Sequence, residues 1–127
     1  MRANQRALGF TLIELLVVMT IVALLASLAV PRYFGGLEKS REAALRQTLA
    51  VTRDALDKYY SDNGKFPDTL DALVSKRYLR SLPVDPITES SVTWTLVPPA
   101  DPAKGGINDV HSGAEGVGRD GKPFREW

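Results

Sequence analysis

Gly9-Phe10-Thr11-Leu12-Ile13-Glu14 places a single carboxylate at the head of an apolar run that extends to Val30. As a helix, Phe10 to Val30 would rise about 31 Å at about 1.5 Å per residue, which matches a hydrocarbon core of about 30 Å. The run therefore predicts a membrane span over residues 10–30. Its Phe, Leu, Ile and Val side chains together favour insertion by roughly 4 to 8 kcal/mol, whereas one acidic residue costs at most about 3. Insertion proceeds in spite of Glu14. An ionisable group inside a span marks a functional site with a partner, and no Lys, Arg or His lies between Phe10 and Val30. That partner has to come from elsewhere.

Cutting the chain between Gly9 and Phe10 would create one candidate, the new α-amino group of Phe10, within about one helical turn of Glu14. The two groups are poorly oriented on a single chain. On a neighbouring chain shifted along a shared axis, ammonium and carboxylate could neutralise each other out of water, where an unpaired charge costs several kcal/mol. The glutamate thus points to self-assembly. The hexapeptide Gly9 to Glu14 resembles the cleavage and methylation site of type IV prepilins and of the pseudopilins of type II secretion. That resemblance implies that a prepilin peptidase cuts after Gly9, that Phe10 becomes N-methylated, and that Glu14 guides subunit register.

Two plainer readings of the same run stay open. Arg2 and Arg6 form a positive n-region, and Ser27-Leu28-Ala29 passes as a small-residue signal cleavage site. The apolar region of a signal peptide is about 7–15 residues long, however, and this one is longer and carries a glutamate. Alternatively the span is a plain anchor in which Glu14 snorkels towards the headgroups.

Residues 31–127 suffice for one modest domain, and with no cysteine in the chain that domain has no disulfide to staple it. Many type IV pilins close a C-terminal loop with a disulfide, whereas pseudopilins commonly do without one. With 16 basic and 15 acidic residues the net charge is +1, so no global basic field points to nucleic acid. Arg2 and Arg6, with no acid before the span, place the N-terminus in the cytoplasm and the bulk of the chain outside. In a cell with two membranes that compartment is the periplasm.

Pro31 removes a backbone donor and predicts a kink or loosened turn, or else a helix end at Val30 ahead of Gly35-Gly36. The family resemblance likewise implies a bend there that helps filament packing. Leu45, Leu49, Thr52, Leu56 and Tyr59 then recur at three- and four-residue steps, with charged residues on the other faces. An amphipathic helix over 37–61 follows, stopped by Asn63-Gly64. A short helix is expected over 69–76, capped by Asp68, with Leu70, Leu73 and Val74 inward. Tyr78, Leu79 and Leu82 read as core, and Leu82-Pro83-Val84-Asp85-Pro86 as a rigid connector.

The order Tyr59-Tyr60, Asn63-Gly64-Lys65-Phe66-Pro67 and Leu82 to Pro86 is similar to the type II secretion pseudopilins, particularly the major, G-type one. Those proteins usually continue with a tryptophan, a glycine and a proline-tyrosine, where this chain has Ile87-Thr88-Glu89-Ser90-Ser91. Val92, Trp94 and Leu96 alternate with Thr93, Thr95 and Val97 as a half-buried strand, ended by Pro98-Pro99. The tail beyond holds six of the ten glycines, interleaved with Asp109, Ser112, Glu115 and Asp120. Oxygen ligands on a glycine-rich loop suit a hard cation such as Ca²⁺. The resemblance implies calcium near Asp109-Val110-His111-Ser112-Gly113, with Asp109 and Asp120 as candidate ligands and Glu115 standing where an aspartate is expected. The competing reading is a turn-rich tail held by Ile107, Val110, Phe124 and Trp127, with His111 structural.

There is no cysteine, only one histidine, and no P-loop, metal-protease pair or nucleophile elbow, so the chain is read as a non-enzymatic structural subunit. The expected fold is α+β and type IV pilin-like: a long N-terminal helix, half membrane-spanning and half amphipathic, packed on a small antiparallel sheet. Residues 1–9 are a prepilin leader, 10–30 the filament-core helix, and 31–127 a periplasmic head whose strands and Gly-rich loop occupy 92–127. The resemblance implies a single-pass inner-membrane protein that polymerises with itself and with minor pseudopilins, served by a prepilin peptidase and an inner-membrane assembly platform. The filament would drive protein export across the outer membrane. A type IV pilus subunit and a membrane-anchored, non-assembling binding module are the alternatives. N-terminal sequencing of the native protein should find a mature chain that begins at methylated Phe10; a start at Val30 or an uncut Met1 would contradict this.

Overall fold

The computed structural model describes residues 9–127, and the leader through Leu8, with Arg2 and Arg6, lies outside them. The element order is helix α1 (Leu12–Asn63), helix α2 (Leu70–Ser75), strand β1 (Thr95–Val97), a 3₁₀ turn (Pro102–Lys104), strand β2 (Asp109–His111) and a final 3₁₀ turn (Phe124–Glu126). By contact the chain forms two units, one ending at Leu37 and the other running from Glu38 to Trp127.

Helix α1 continues through Pro31, Gly35 and Gly36, so the expected end at Val30 does not occur. Pro31 forfeits one donor, and the helix runs on past that single gap even though Tyr33, Phe34, Gly35 and Gly36 are weak helix formers. Up to Val30 the large apolar side chains stand open, from 48% exposed at Val30 to 88% at Phe10. This part of α1 is long and apolar enough to cross a membrane. Its polar groups are satisfied within the helix. The Thr20 hydroxyl donates to the Leu16 carbonyl and that of Ser27 to the Leu24 carbonyl, both at 2.7 Å, which lowers the cost of placing them in lipid.

In the second unit the periodic stripe is buried as its spacing predicts: Leu45, Leu49, Thr52 and Leu56 are at most 2% exposed, and Ala55 joins them. Tyr59 is half-buried against the same core. The other walls are Leu70 and Leu73 from α2, then Trp94, Ile107, Val110, Ala114 and Phe124. Gly64, at φ +72°, ends α1 by donating to the Tyr60 carbonyl at 2.8 Å.

Helix α2 is capped by Thr69, not Asp68: the Thr69 hydroxyl accepts from the Ala72 N–H at 3.3 Å. Threonine wins because it sits one residue closer to the first turn, at the position from which an oxygen reaches the third N–H. Leu70 and Leu73 face inward as expected, while Val74 is half-buried. Beyond α2 the Tyr78 hydroxyl donates to the Asp62 carboxylate at 2.6 Å. That bond holds the tyrosine above its ordinary ionisation range, so its contribution persists through neutral pH and is lost only as pH rises through the raised value.

The strand expected from Val92 is shorter. Val92 is 86% exposed and only Thr95–Val97 pairs, antiparallel to β2, with Thr95 opposite His111, Leu96 opposite Val110 and Val97 opposite Asp109. Trp94 is buried just before the strand, and its indole N–H donates to the Pro83 carbonyl at 2.8 Å. Gly113 packs so closely on this segment that a Cβ there would overlap the Thr93 carbonyl oxygen. The tail is seated by Ile107, Val110 and Phe124, all buried, and by half-buried Trp127.

Leu56 is fully buried in the core cluster that α1 shares with α2 and the tail. Leu56→Ala is expected to destabilise the head by about 2–5 kcal/mol, read by thermal unfolding of the detergent-solubilised protein, whereas the half-exposed Val51→Ala should cost far less.

Candidate functional site

Gly9 and Phe10 lie outside regular structure just ahead of α1, with no atom within 4 Å of where a Gly9 side chain would begin. Both residues are exposed, so the peptide bond between them is open to approach. Immediately after them the backbone turns into the helix through a reciprocal pair of bonds. The Thr11 hydroxyl accepts from the Glu14 N–H, and the Glu14 carboxylate accepts from the Thr11 N–H, each at 3.2 Å.

This is a capping box, in which a Thr and a Glu three residues apart satisfy donors that the first turn leaves unpaired. The Thr-x-x-Glu spacing that marks such a box is legible in the sequence itself, although a charge invites a cationic partner first. Glu14 therefore stands in a defined orientation, negative charge at the positive end of the helix dipole. It has no cationic partner among the described residues; the salt bridges there all lie from Arg41 onward. The Glu14 side chain is exposed on an exposed apolar helix, and its carboxylate accepts from the Thr11 N–H. Further along, Arg32, Tyr33 and Phe34 follow the span, with the two aromatic rings exposed and 5.7 Å apart, edge to face. Such residues anchor a helix at the membrane surface.

The two carboxylates proposed as calcium ligands do not converge on one ion. Asp109 Oδ1 accepts from Arg53 Nε at 2.7 Å and from the Val110 N–H at 2.8 Å. Asp120 instead meets Arg46 Nη2 at 3.3 Å and accepts from the Lys122 N–H at 3.0 Å. Among the described residues no three His, Asp or Glu side chains gather as a cation site. Glu115 is exposed. Ser112 is turned away to Asp85, a carboxylate that is completely buried and also accepts from the Ile87 N–H at 2.8 Å. His111 Nδ1 lies 2.6 Å from the main-chain oxygen of Trp127, consistent with a structural role. Sequence reasoning missed Arg46, Arg53 and Asp85 because nothing local shows which oxygen, dozens of residues away, each will meet.

Comparison with known proteins bears on the N-terminal segment and on the chain as a whole. The prokaryotic N-terminal methylation motif matches residues 4–30. The chain is 35% identical to the type II secretion system core protein G of Klebsiella michiganensis, over 91% of this chain and 88% of that one. It is 33% identical to the protein of the same name from Vibrio cholerae, over 94% and 93%, and 38% identical to that of Aeromonas hydrophila, over 65% and 69%. No solved structure matches the chain.

Thr11→Val removes one half of the capping box and should weaken the first turn by about 0.5–2 kcal/mol. Amide exchange at Leu12, Ile13 and Glu14 in micelles should accelerate accordingly, with exchange at Leu56 unchanged; equal protection at the first turn would show that the cap carries no weight.

Proposed function

This chain belongs to the type II secretion core protein G family, the major pseudopilins, and we propose that it polymerises into the periplasmic filament of such a system. It is a pilin-like structural subunit and not an enzyme. The observation that carries the polymer reading is Glu14: a carboxylate on an uncovered apolar helix, without a cation among the described residues.

In the proposed sequence of events, a prepilin peptidase cuts between Gly9 and Phe10, and the liberated α-amino group of Phe10 is methylated. A methylated amine keeps its positive charge. The subunit waits in the inner membrane, N-terminus cytoplasmic by the Arg2 and Arg6 rule, head in the periplasm. When an assembly platform lifts it against the growing filament, the Glu14 carboxylate of one chain meets the Phe10 ammonium of a neighbour. Away from water this pairing removes two charges that would each cost several kcal/mol alone, and it penalises any axial offset that leaves them apart. The exposed side chains of Phe10 to Val30 then exchange lipid for neighbouring helices. Contacts of this head-to-tail kind need not close, so they generate a filament whose length is free to grow. Minor pseudopilins fit as the subunits that begin it, and growth beneath an outer-membrane channel would push folded cargo outward.

The charge and the cap can be separated. Glu14→Gln keeps an acceptor oxygen in the capping box and loses the negative charge, whereas Glu14→Leu loses both and gains up to about 3 kcal/mol in membrane insertion. The chain contains no cysteine, so one engineered pair reports subunit contacts without background. Both variants should insert normally and fail to cross-link into filaments. Wild-type cross-linking of Glu14→Gln would remove the charge-pairing argument.

A further inference from the structure

The glycine-rich tail needs positive charge to hold its oxygens together, and helix α1 supplies that charge from its own side chains. Arg53 is the centre of the arrangement. Its Nε donates to Asp109 Oδ1 at 2.7 Å, while Nη2 lies 2.9 Å from both the Val110 carbonyl and the main-chain oxygen of Trp127. One planar cation thus gathers three oxygens from two separate stretches of tail, Asp109-Val110 and Trp127.

Two turns earlier on the same helix face, Arg46 meets Asp120 and lies 4.5 Å above the Trp127 ring. One turn before that, the Glu42 carboxylate accepts from the Arg119 N–H at 2.8 Å. Residues 42, 46 and 53 follow helical spacing, so a single ridge of α1 grips the tail at three levels.

We infer that this chain fastens its C-terminal tail through Arg53 and Arg46 in place of the calcium ion that its family resemblance implies, so that the folded head is independent of divalent metal. Charge and donor geometry both support the exchange. Two guanidinium groups carry the two positive charges of one divalent cation, and a guanidinium offers five N–H donors in a fixed fork at any physiological pH. A calcium ion would require six to eight oxygens. Here the nearest candidates are already spoken for: Asp109 and the Val110 carbonyl by Arg53, Asp120 by Arg46, and the Ser112 hydroxyl by Asp85. An incoming cation would also meet the repulsion of the arginines that it had to displace. Of the two, Arg53 bears more of the fastening, because its ion pair is 37% exposed on both sides while Arg46 is 62% exposed and more fully screened.

The test uses the full chain in detergent micelles and reads head stability, so it is independent of whether the protein polymerises. The wild-type melting temperature should be the same with millimolar calcium, with magnesium and with excess chelator. Arg53→Met should lower it by roughly 4–8 °C and speed amide exchange at Asp109 to His111. Arg53→Lys, which keeps the charge and loses the fork, should recover only part of the difference. A wild-type midpoint that rises with calcium or falls with chelator would overturn the inference, as would an Arg53→Met protein that melts with the wild type. Should Arg53→Met fail to fold, the calcium and chelator comparison on the wild type decides alone.

Discussion

A helix whose large apolar side chains stand open on every side from Leu12 to Val30 must be covered by something other than the chain that carries it. Lipid can cover it, and so can copies of itself. The two environments differ in how they treat Glu14. In lipid the carboxylate is a liability, tolerated near the end of the span by capping the first turn through Thr11. Against neighbouring helices it becomes the one group able to select an axial position. Moving from membrane to filament therefore trades a sequence-blind solvent for a partner that the charge can recognise.

The second half of the same helix obeys a different constraint, because there the head provides the cover. Leu45, Leu49, Thr52 and Leu56 form a stripe one side wide, and the short elements that follow are held chiefly by contact with it. Six residues of α2 and two strands of three residues each could not persist alone. They are fixed by burial on α1, by the Trp94 bond to Pro83, and by the completely buried Asp85, which ties the proline-rich connector to Ser112 in the tail. The arginine ridge adds the last fastening on the helix's outer flank. One continuous helix thus carries both the exposed apolar run with Glu14 and the stripe buried in the head.

Features that depend on near neighbours along the chain are legible before any folding is considered. The apolar run, the buried stripe, the Asn63-Gly64 stop and the inward residues Leu70, Leu73, Trp94, Ile107, Val110 and Phe124 follow from spacing and side-chain chemistry, and the structure has the stripe and these residues in the core and ends α1 at Asn63. Local rules were less reliable where two residues compete for one position, as Thr69 and Asp68 do for the α2 cap, or where burial overrides alternation, as at Val92. Which charges meet is fixed by the folded arrangement. Arg53 and Asp109 are 56 residues apart and Glu42 and Arg119 are 77 apart, and no periodicity connects them. The tail's oxygens are equally suited to a metal ion and to a guanidinium as a list of residue types; their choice depends on the angle at which one face of α1 presents its arginines, and that angle exists only once the core beneath it has packed.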